Sequence, residues 1–413
     1  MIDQFSFGIG DRFGKQGKAL LKAFQLANLK GIAITPVWNK SNREHETIDT
    51  EPESVRIEAD EAVKALGWKG NYLVDADHIN LDSVEKFIPH SDFYTIDVAE
   101  YIGKKADDPM IKAFVDFCKV FIGELSVPGI DQPFNITENL IKEYATIYLR
   151  AVAMASETYG KIKLLKDGDF VTEISMDEVA EAQKPLEIFF ILAAIAFHKI
   201  PVDTFAPKFS GRFNKGVDYQ GDLGQFEKEF EEDLSIIKFA IEKFGLKNNL
   251  KLSIHTGSDK FSIYPIMGKL IRKHDMGLHV KTAGTTWLEE LAGVSMSGEK
   301  GLSFAKKIYQ EAYERREALT KPYANVIEVK EEELPSADEV KNWDRHQFSE
   351  SLIHDESNKK YNPSFRQLLH VGYKIAGENI KEFQELLKDN QLAEEYVTNN
   401  ILRRHITPIF LDI

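Results

Sequence analysis

The sequence of 413 residues contains a single cysteine, Cys118. One cysteine cannot form an internal disulfide, which is typical of proteins in a reducing compartment. Cys118 lies in the apolar run 114–122, so we expect it to be a small buried core residue. The fold must then rest on a hydrophobic core, for which a 43% share of hydrophobic residues is sufficient in a chain of this length.

The sequence also lacks a hydrophobic run long enough to cross a bilayer. The most apolar stretch, 186–197, is shorter than the roughly 20 residues that a membrane-spanning helix needs, and it predicts a buried helix instead. Residues 1–18 lack the basic-then-apolar order of a secretory signal. We therefore predict a cytoplasmic protein without a membrane partner.

Basic residues are few relative to acidic ones. The 52 Lys and Arg residues against 66 Asp and Glu residues give a formal net charge of −14. Nucleic-acid binding requires a basic face that neutralises phosphates. The charge balance therefore excludes a nucleic-acid partner, and it leaves homo-oligomerisation open.

Several motifs of nucleotide and hydrolytic chemistry are absent, namely the P-loop, the G-x-S-x-G nucleophile elbow and the H-E-x-x-H zinc motif. The glycine pattern Gly8-x-Gly10-x-x-x-Gly14 is one residue longer than a dinucleotide fingerprint. No acidic residue ends the second predicted strand, where such a fingerprint requires one. These two departures exclude a nicotinamide site.

What the sequence does contain is a recurring unit, a short apolar run followed by a turn and a helical pattern. Eight runs have the β-branched and aromatic composition of parallel strands that are buried on both faces: 5–9, 32–37, 72–74, 93–98, 170–174, 202–205, 251–254 and 278–280. Helical patterns follow them at 18–29, 53–66, 81–88, 108–165, 185–199, 224–244, 263–274 and 286–291. Eight such alternations predict a (β/α)8 barrel of the TIM type rather than an open doubly wound sheet.

Two segments exceed the basic barrel plan. The long stretch 108–165 predicts a helical insertion after strand 4, and the charged helical tail predicts a C-terminal extension that packs on the barrel. We therefore predict a barrel domain over residues 1–300 and an extension over 301–413.

Ionisable side chains at the predicted strand ends indicate an active site, because barrel enzymes place theirs at the carboxyl ends of the strands. His255 and His279 each end an apolar strand, and paired imidazoles with a carboxylate suit Zn, Mn, Co or Ni. Glu173, Asp218 and His78 are alternative third ligands. The sequence therefore predicts a divalent metal ion held by His255, His279, Glu173 and His78.

The remaining strand-end residues are candidates for proton transfer and substrate binding. Asp77 or Glu173 is predicted to act as a general base, and Lys281 to stabilise an oxyanion or anchor a carboxylate. The loop after strand 6 clusters Lys208, Arg212 and Lys215, which suits an acidic substrate. The predicted substrate-binding residues are Asp11, Arg12, Asp75, Lys208, Arg212, Asp218 and Lys260.

At these same positions the sequence resembles the tagaturonate/fructuronate epimerase family of hexuronate breakdown. The resemblance is carried by the segments FSFGIGDRFG (5–14), VDADHI (74–79), SDFYTIDVA (91–99), APKFSGRFNKGVDYQGD (206–222), LSIHTGSDKFSIYP (252–265), HVKTAGTTWLEEL (279–291) and NPSFRQLLHVGYK (362–374). It implies a barrel enzyme that uses a metal to interconvert D-tagaturonate and D-fructuronate, small keto-uronates that differ at C4.

The hydrogen at C4 is β to the C2 ketone and therefore not acidic, so the expected route is retro-aldol cleavage of the C3–C4 bond followed by re-addition. A metal-dependent sugar aldolase or ketol-isomerase would use the same metal and base, and it is the alternative interpretation.

Overall fold

The computed structural model describes residues 2–282, 284 and 286–411, and its centre is a closed barrel. Within the described residues the barrel comprises eight parallel strands in the order β1-β10-β9-β8-β7-β4-β3-β2. They are β1 Phe5–Ile9, β2 Ile34–Ser41, β3 Leu73–Ile79, β4 Phe93–Asp97, β7 Val171–Ser175, β8 Thr204–Ala206, β9 Lys251–His255 and β10 Leu278–Lys281. The predicted (β/α)8 barrel is confirmed.

Helices cover the outside of the barrel because each presents an apolar stripe to it. The helix α1, for example, buries Ala19, Leu20, Ala23, Phe24 and Ala27, the three-to-four residue spacing of one helix face. These helices are α1 Gly17–Asn28, α2 Asn42–Ile48, α3 Glu53–Leu66, α4 Asp108–Cys118, α5 Glu138–Leu165, α6 Pro185–Phe197, α7 Leu223–Phe244 and α8 Tyr264–His274. A further helix, α9 Thr286–Met296, follows the last barrel strand. No helix formed by the described residues is long and apolar enough to cross a membrane.

The predicted insertion lies between β4 and β7. It contains α4, a two-stranded antiparallel hairpin (β5 Gly123–Leu125 and β6 Phe134–Ile136) and the long helix α5. Cys118 is fully buried at the end of α4, as the sequence predicted.

Two local predictions were wrong. The segment 81–88 forms only a 3-10 turn, Val84–Lys86, because the side chain of Asn80 accepts hydrogen bonds from the backbone of Asp82 and Ser83 and holds the chain in a turn. The second strand was predicted over residues 32–37, but β2 continues to Ser41. Asn39 and Lys40 therefore lie within the strand and not after it.

The C-terminal helices form a second hydrophobic core beside the barrel mouth. They are α10 Glu299–Glu314, α11 Arg316–Thr320, α12 Ala337–Lys341, α13 Arg345–Leu352, α14 Pro363–Val371, α15 Tyr373–Glu378, α16 Ile380–Leu387 and α17 Gln391–Asn399. The π-helical segment that follows them, Asn400–Leu411, belongs instead to the barrel core. We call residues 299–411 the C-terminal extension. Trp287 and Leu291 of α9 belong to this second core, although α9 follows the last barrel strand.

The place of the eighth outer helix is taken by the π-helical segment, which packs between α8 and α1. Phe410 stacks against Phe5 with ring centroids 5.2 Å apart. The carbonyl of Ile409 lies so close to Gly268 of α8 that a Cβ there would be 2.5 Å from it. The predicted helix 286–291 therefore exists, but it lies among the helices of the extension instead of closing the outer ring.

A buried acid, Asp233, gives a test of how α7 packs. Asp233 is 3% exposed, and burial together with the charges of Glu229 and Glu232 raises its carboxyl pKa well above the usual value. A raised pKa contributes stability that is complete below the unfolded pKa and is lost as the pH rises through the folded pKa. We expect Asp233→Asn to gain stability over the wild type as the pH rises from about 4 towards the raised folded pKa, by about 1.4 kcal/mol for each unit of pKa elevation.

Urea unfolding at several pH values measures this difference in the free energy of unfolding, with the exposed Asp167→Asn as control. A difference that stays constant with pH would contradict the assignment of Asp233 as a buried, unpaired acid.

Candidate functional site

The parallel strands bring their polar ends together at one mouth of the barrel. The side chains of Asp75 and Asp77 from β3, Glu173 from β7, His255 from β9 and Lys281 from β10 meet there. His255 and Lys281 are the last residues of β9 and β10, whereas Asp75, Asp77 and Glu173 lie within β3 and β7. The structure thus brings these five predicted site residues together.

The ammonium group of Lys281 lies at the centre of this mouth. Its Nζ is 2.8 Å from Asp75, 3.0 Å from Asp77 and 3.2 Å from Glu173. Burial disfavours the charged forms, but mutual attraction outweighs it, so the pKa of Lys281 is raised and those of Asp77 and Glu173 are lowered. For Asp75, burial and the neighbouring carboxylates prevail over Lys281 and raise the pKa to about 7.

Two imidazoles face one carboxylate beside this centre. In His255, Nδ1 is 3.2 Å from Asp177, and in His78, Nε2 is 3.7 Å from the same side chain. The opposite ring nitrogens are held by other carboxylates: Nε2 of His255 is 2.8 Å from Glu173, and Nδ1 of His78 is 2.8 Å from Asp77. Carboxylates that orient imidazoles through the outer nitrogen are usual at metal sites.

The ligand atoms that His78, Asp177 and His255 offer lie within 4.8 Å of one another. Despite burial, the adjacent acids raise the pKa of His255 to about 9, with Asp177 the largest of these contributions, and raise that of His78 well above its usual value. The cluster therefore attracts positive charge, which either protons or a metal ion can supply.

A strained backbone places His78 in this cluster. The register between β3 and β4 shifts between Ala76 and Ile79, and His78 has a φ of 52°, a left-handed conformation that is uncommon for a residue with a side chain. Such irregularities next to a site redirect side chains. They allow the successive residues Asp77 and His78 to contact the same group of charges, which a regular strand would prevent.

The structure separates His279 from this cluster. His279 lies two residues before Lys281 and pairs in register with Ser6 and Ser253, one layer deeper in the barrel. Its Nδ1 is 2.8 Å from the hydroxyl of Ser6, and burial lowers its pKa to about 3. The sequence predicted His279 as a ligand because it ends an apolar run, and depth within the barrel was not visible in that pattern.

Asp177 is the residue that sequence reasoning missed. It lies two residues after the end of β7 at Ser175, whereas the predicted strand ended at residue 174 and only Glu173 was considered there. The signal was present, because Asp177 and Glu178 are the first acidic residues after a buried strand.

Two predicted substrate-binding residues instead support loops. The Asp11 carboxylate accepts hydrogen bonds from the backbone of Phe13 and Gln16. The ammonium of Lys260 is fully buried and donates to the carbonyls of Asn214 and Val217 and to the hydroxyl of Ser258. These hydrogen bonds brace the loop after β8, and Lys260 does not line the pocket. Burial lowers the Lys260 pKa to about 7.

The loop between β8 and α7 contains three other predicted residues. Arg212 is 68% exposed and pairs with Glu328 at 3.2 Å. Asp218 accepts hydrogen bonds from the backbone and hydroxyl of Ser262. The backbone nitrogen of Lys208 donates a hydrogen bond to the side chain of Gln183. None of these three described residues lines the pocket at the mouth.

A pocket lies at the mouth of the barrel, between the strands and the surrounding loops. Its lining combines acids and imidazoles with cations that come from a strand, from loops and from α2. Its lining residues are Arg12, Ser41, Arg43, Glu44, Asp77, His78, Glu178, Lys215, His255, Gly257, Lys281, Gly284 and Tyr323. Of the predicted substrate-binding residues that the structure describes, Arg12 is in this lining.

A sequence model of a known family, described as tagaturonate epimerase, matches residues 2–407. The chain belongs to the tagaturonate epimerase family. The resemblance found in the sequence is thereby confirmed, and with it the assignment of the chain to the isomerases that act as epimerases.

Relatives within the tagaturonate epimerase family agree with this fold. A tagaturonate/fructuronate epimerase from Thermotoga maritima is 29% identical over 423 residues, which covers 97% of this chain and 80% of that protein. The fructuronate-tagaturonate epimerase UxaE from Cohnella laeviribosi, in a glycerol-complexed crystal structure, superimposes with a TM-score of 0.79 at 23% identity over 99% of this chain and 81% of that one. Its native structure gives 0.78 at 22% identity, covering 99% and 82%.

We expect Lys281, the lysine at the centre of the barrel mouth, to stabilise the fold. Replacing Lys281 with Met leaves three buried carboxylates without their shared cation, which should cost about 3–5 kcal/mol of unfolding free energy near pH 8. Because the folded pKa values of Asp77 and Glu173 are lowered, the stability that they contribute is present above their unfolded pKa values and is lost as the pH falls. The difference between variant and wild type should therefore shrink in acid.

Urea unfolding at about pH 8 and at about pH 3, below the unfolded pKa values of Asp and Glu, measures this effect. Lys161→Met on the outer surface of α5 is the control. We expect the control to change stability by less than about 1 kcal/mol. Equal losses for the two variants would contradict the central role of Lys281.

Proposed function

We propose that this protein interconverts D-tagaturonate and D-fructuronate by inverting C4, and that it requires a divalent metal ion. The observation that carries the proposal is the arrangement of His78, Asp177 and His255, in which Asp77 and Glu173 orient the two rings from behind. The family and the relatives named above support the substrate pair, since their names specify these two ketouronates.

The donor set fits a transition metal. Two imidazole nitrogens and a carboxylate oxygen suit Zn, Mn, Co or Ni, whereas Mg and Ca prefer sites made of oxygen atoms. His78, Asp177 and His255 would hold the ion, and three protein ligands leave coordination positions open for substrate. A divalent ion there would supply Lewis-acid stabilisation of negative charge on the C2 and C3 oxygens.

Proton NMR of D-tagaturonate with the purified protein tests the activity. We expect D-fructuronate to form, its formation to stop after chelation, and activity to return with Zn, Mn, Co or Ni. Accumulation of three-carbon products would indicate an aldolase, and a shifted carbonyl would indicate a ketol-isomerase. No turnover with any of these ions would overturn the proposal.

Calorimetric titration of chelated protein with the same ions tests the ligand set. We expect Asp177→Asn and His255→Gln to weaken binding by about 100-fold or more, because each removes or alters a ligand. The control is His279→Gln, which retains a polar group near Ser6 and should bind metal like the wild type. An equal loss in His279→Gln would instead favour the ligands predicted from sequence.

Asp77 is the better of the two predicted bases. Glu173 is fully buried beneath His255 and does not line the pocket, whereas Asp77 does. The charges of Lys281 and His78 lower the pKa of Asp77 although burial opposes them. The carboxylate is therefore unprotonated, as a base must be, but it is a weak base that returns its proton readily. Asp77 would take the proton of the C4 hydroxyl, and the C3–C4 bonding electrons would move towards the C2 carbonyl.

This cleavage gives a three-carbon enediolate and a three-carbon aldehyde that carries the carboxylate. After the aldehyde turns over, the bond forms again on its opposite face, and Asp77 returns the proton to the new C4 hydroxyl. No oxidant is consumed, and the hydrogen on C4 stays on carbon throughout.

Retention of that hydrogen is the prediction that tests this route. Substrate turned over in deuterium oxide should yield product without deuterium at C4, and substrate deuterated at C4 should retain its label, as judged by NMR. Non-enzymatic incubation of the product under the same conditions is the control. Solvent deuterium at C4 would exclude retro-aldol chemistry.

A further inference from the structure

We propose that Lys215 and Arg12 form the subsite for the substrate carboxylate, and that the C-terminal extension completes this subsite by holding both residues. The inference rests on the uronate substrate proposed above. It gives the extension a role in choosing acidic sugars over neutral ones.

Lys215 supplies a positive charge that the protein itself does not neutralise. The side chain lines the pocket and is half-buried, yet among the described residues its ammonium has no hydrogen-bond acceptor or ion-pair partner. Burial lowers the pKa of Lys215, and the charge of Glu44 only partly opposes this. A half-buried cation without a partner is stabilised when a ligand anion neutralises it.

Arg12 lines the same pocket with part of its guanidinium unused. Its Nε donates to Glu44 at 2.7 Å, and its planar group lies 4.1 Å from the ring centroid of Tyr373. Its Nη1 is buried and has no hydrogen-bond partner within the described part of the chain. Arg12 is therefore held at a fixed position with a donor still available, which suits a carboxylate.

The C-terminal extension holds the backbone of Lys215 on both sides. The backbone nitrogen of Lys215 donates to the carbonyl of Val326 at 2.7 Å, and the Gln367 side chain donates to the Lys215 carbonyl at 3.1 Å. The next residue, Gly216, accepts a hydrogen bond from Arg366 at 2.8 Å and has a φ of 79°. This clamp fixes where the Lys215 side chain leaves the loop.

Tyr373 is the corresponding contact for Arg12, and it also belongs to the extension. The two cations thus lie on the wall of the pocket that the extension supports, while His78 and His255 belong to strand ends of the barrel. A uronate presents a carboxylate at C6, whereas D-tagatose and D-fructose carry an uncharged hydroxymethyl group there. Only the uronate gains from these cations.

The first experiment compares Lys215→Met with the wild type on D-tagaturonate and measures competitive inhibition by D-tagatose. We expect KM for the uronate to rise about 100-fold with kcat changed by less than about threefold, because uniform binding is lost. The inhibition constant of D-tagatose should stay within about threefold. Lys161→Met is the matched control and should change neither constant.

A second variant tests the extension itself. Gln367→Met removes one clamp on Lys215 without touching the pocket, and we expect it to raise KM for the uronate about 5–10-fold while leaving the D-tagatose constant unchanged. Gln25→Met is the control, because Gln25 also donates to a backbone carbonyl, that of Leu66, on the outside of the barrel.

The outcomes separate this inference from the proposed function. If the wild type epimerises the uronate but Lys215→Met loses kcat with KM unchanged, or weakens both ligands equally, the subsite is wrong and the function stands. If Gln367→Met behaves like Gln25→Met, the role of the extension is wrong. A wild type without uronate epimerisation would refute the proposed function itself.

Discussion

The buried ammonium group of Lys281 determines how charge is arranged at the barrel mouth. Three carboxylates lie within 3.2 Å of it, and none could remain ionised at that depth without a shared cation. Two of those carboxylates then orient His255 and His78. The position of one lysine on β10 therefore fixes the direction in which two imidazoles on other strands point.

The second organising feature is the different origin of the groups around the pocket. Asp77, His78 and His255 belong to barrel strands, whose register fixes their positions within narrow limits. The cations Arg12 and Lys215 come from loops, and contacts with Glu44, Tyr373 and Gln367 hold them in place. The reacting end of the pocket is thus built by the barrel, and the opposite end depends on packing between barrel and extension.

This division explains which features the sequence could predict. The barrel followed from eight periodic units, and Asp77, Glu173 and Lys281 followed from the rule that strand ends converge. His279 was taken as a strand-end residue, but β10 continues to Lys281, which leaves the His279 side chain one layer deeper in the barrel. Lys260 and Arg212 were misread because their destinations depend on loop carbonyls and on Glu328, which lie far away in sequence. The register shift that redirects His78 leaves no mark in the hydrophobic pattern.

The π-helical segment Asn400–Leu411 fills the gap between α1 and α8, so the wall beside the first strand is made by a segment far along the chain. Until that segment has been synthesised, Phe5 and Phe7 lack the aromatic ring of Phe410 that covers them in the folded protein. The barrel of this protein therefore cannot mature strand by strand in chain order. Its outer ring is complete only when two segments that are remote in sequence have paired.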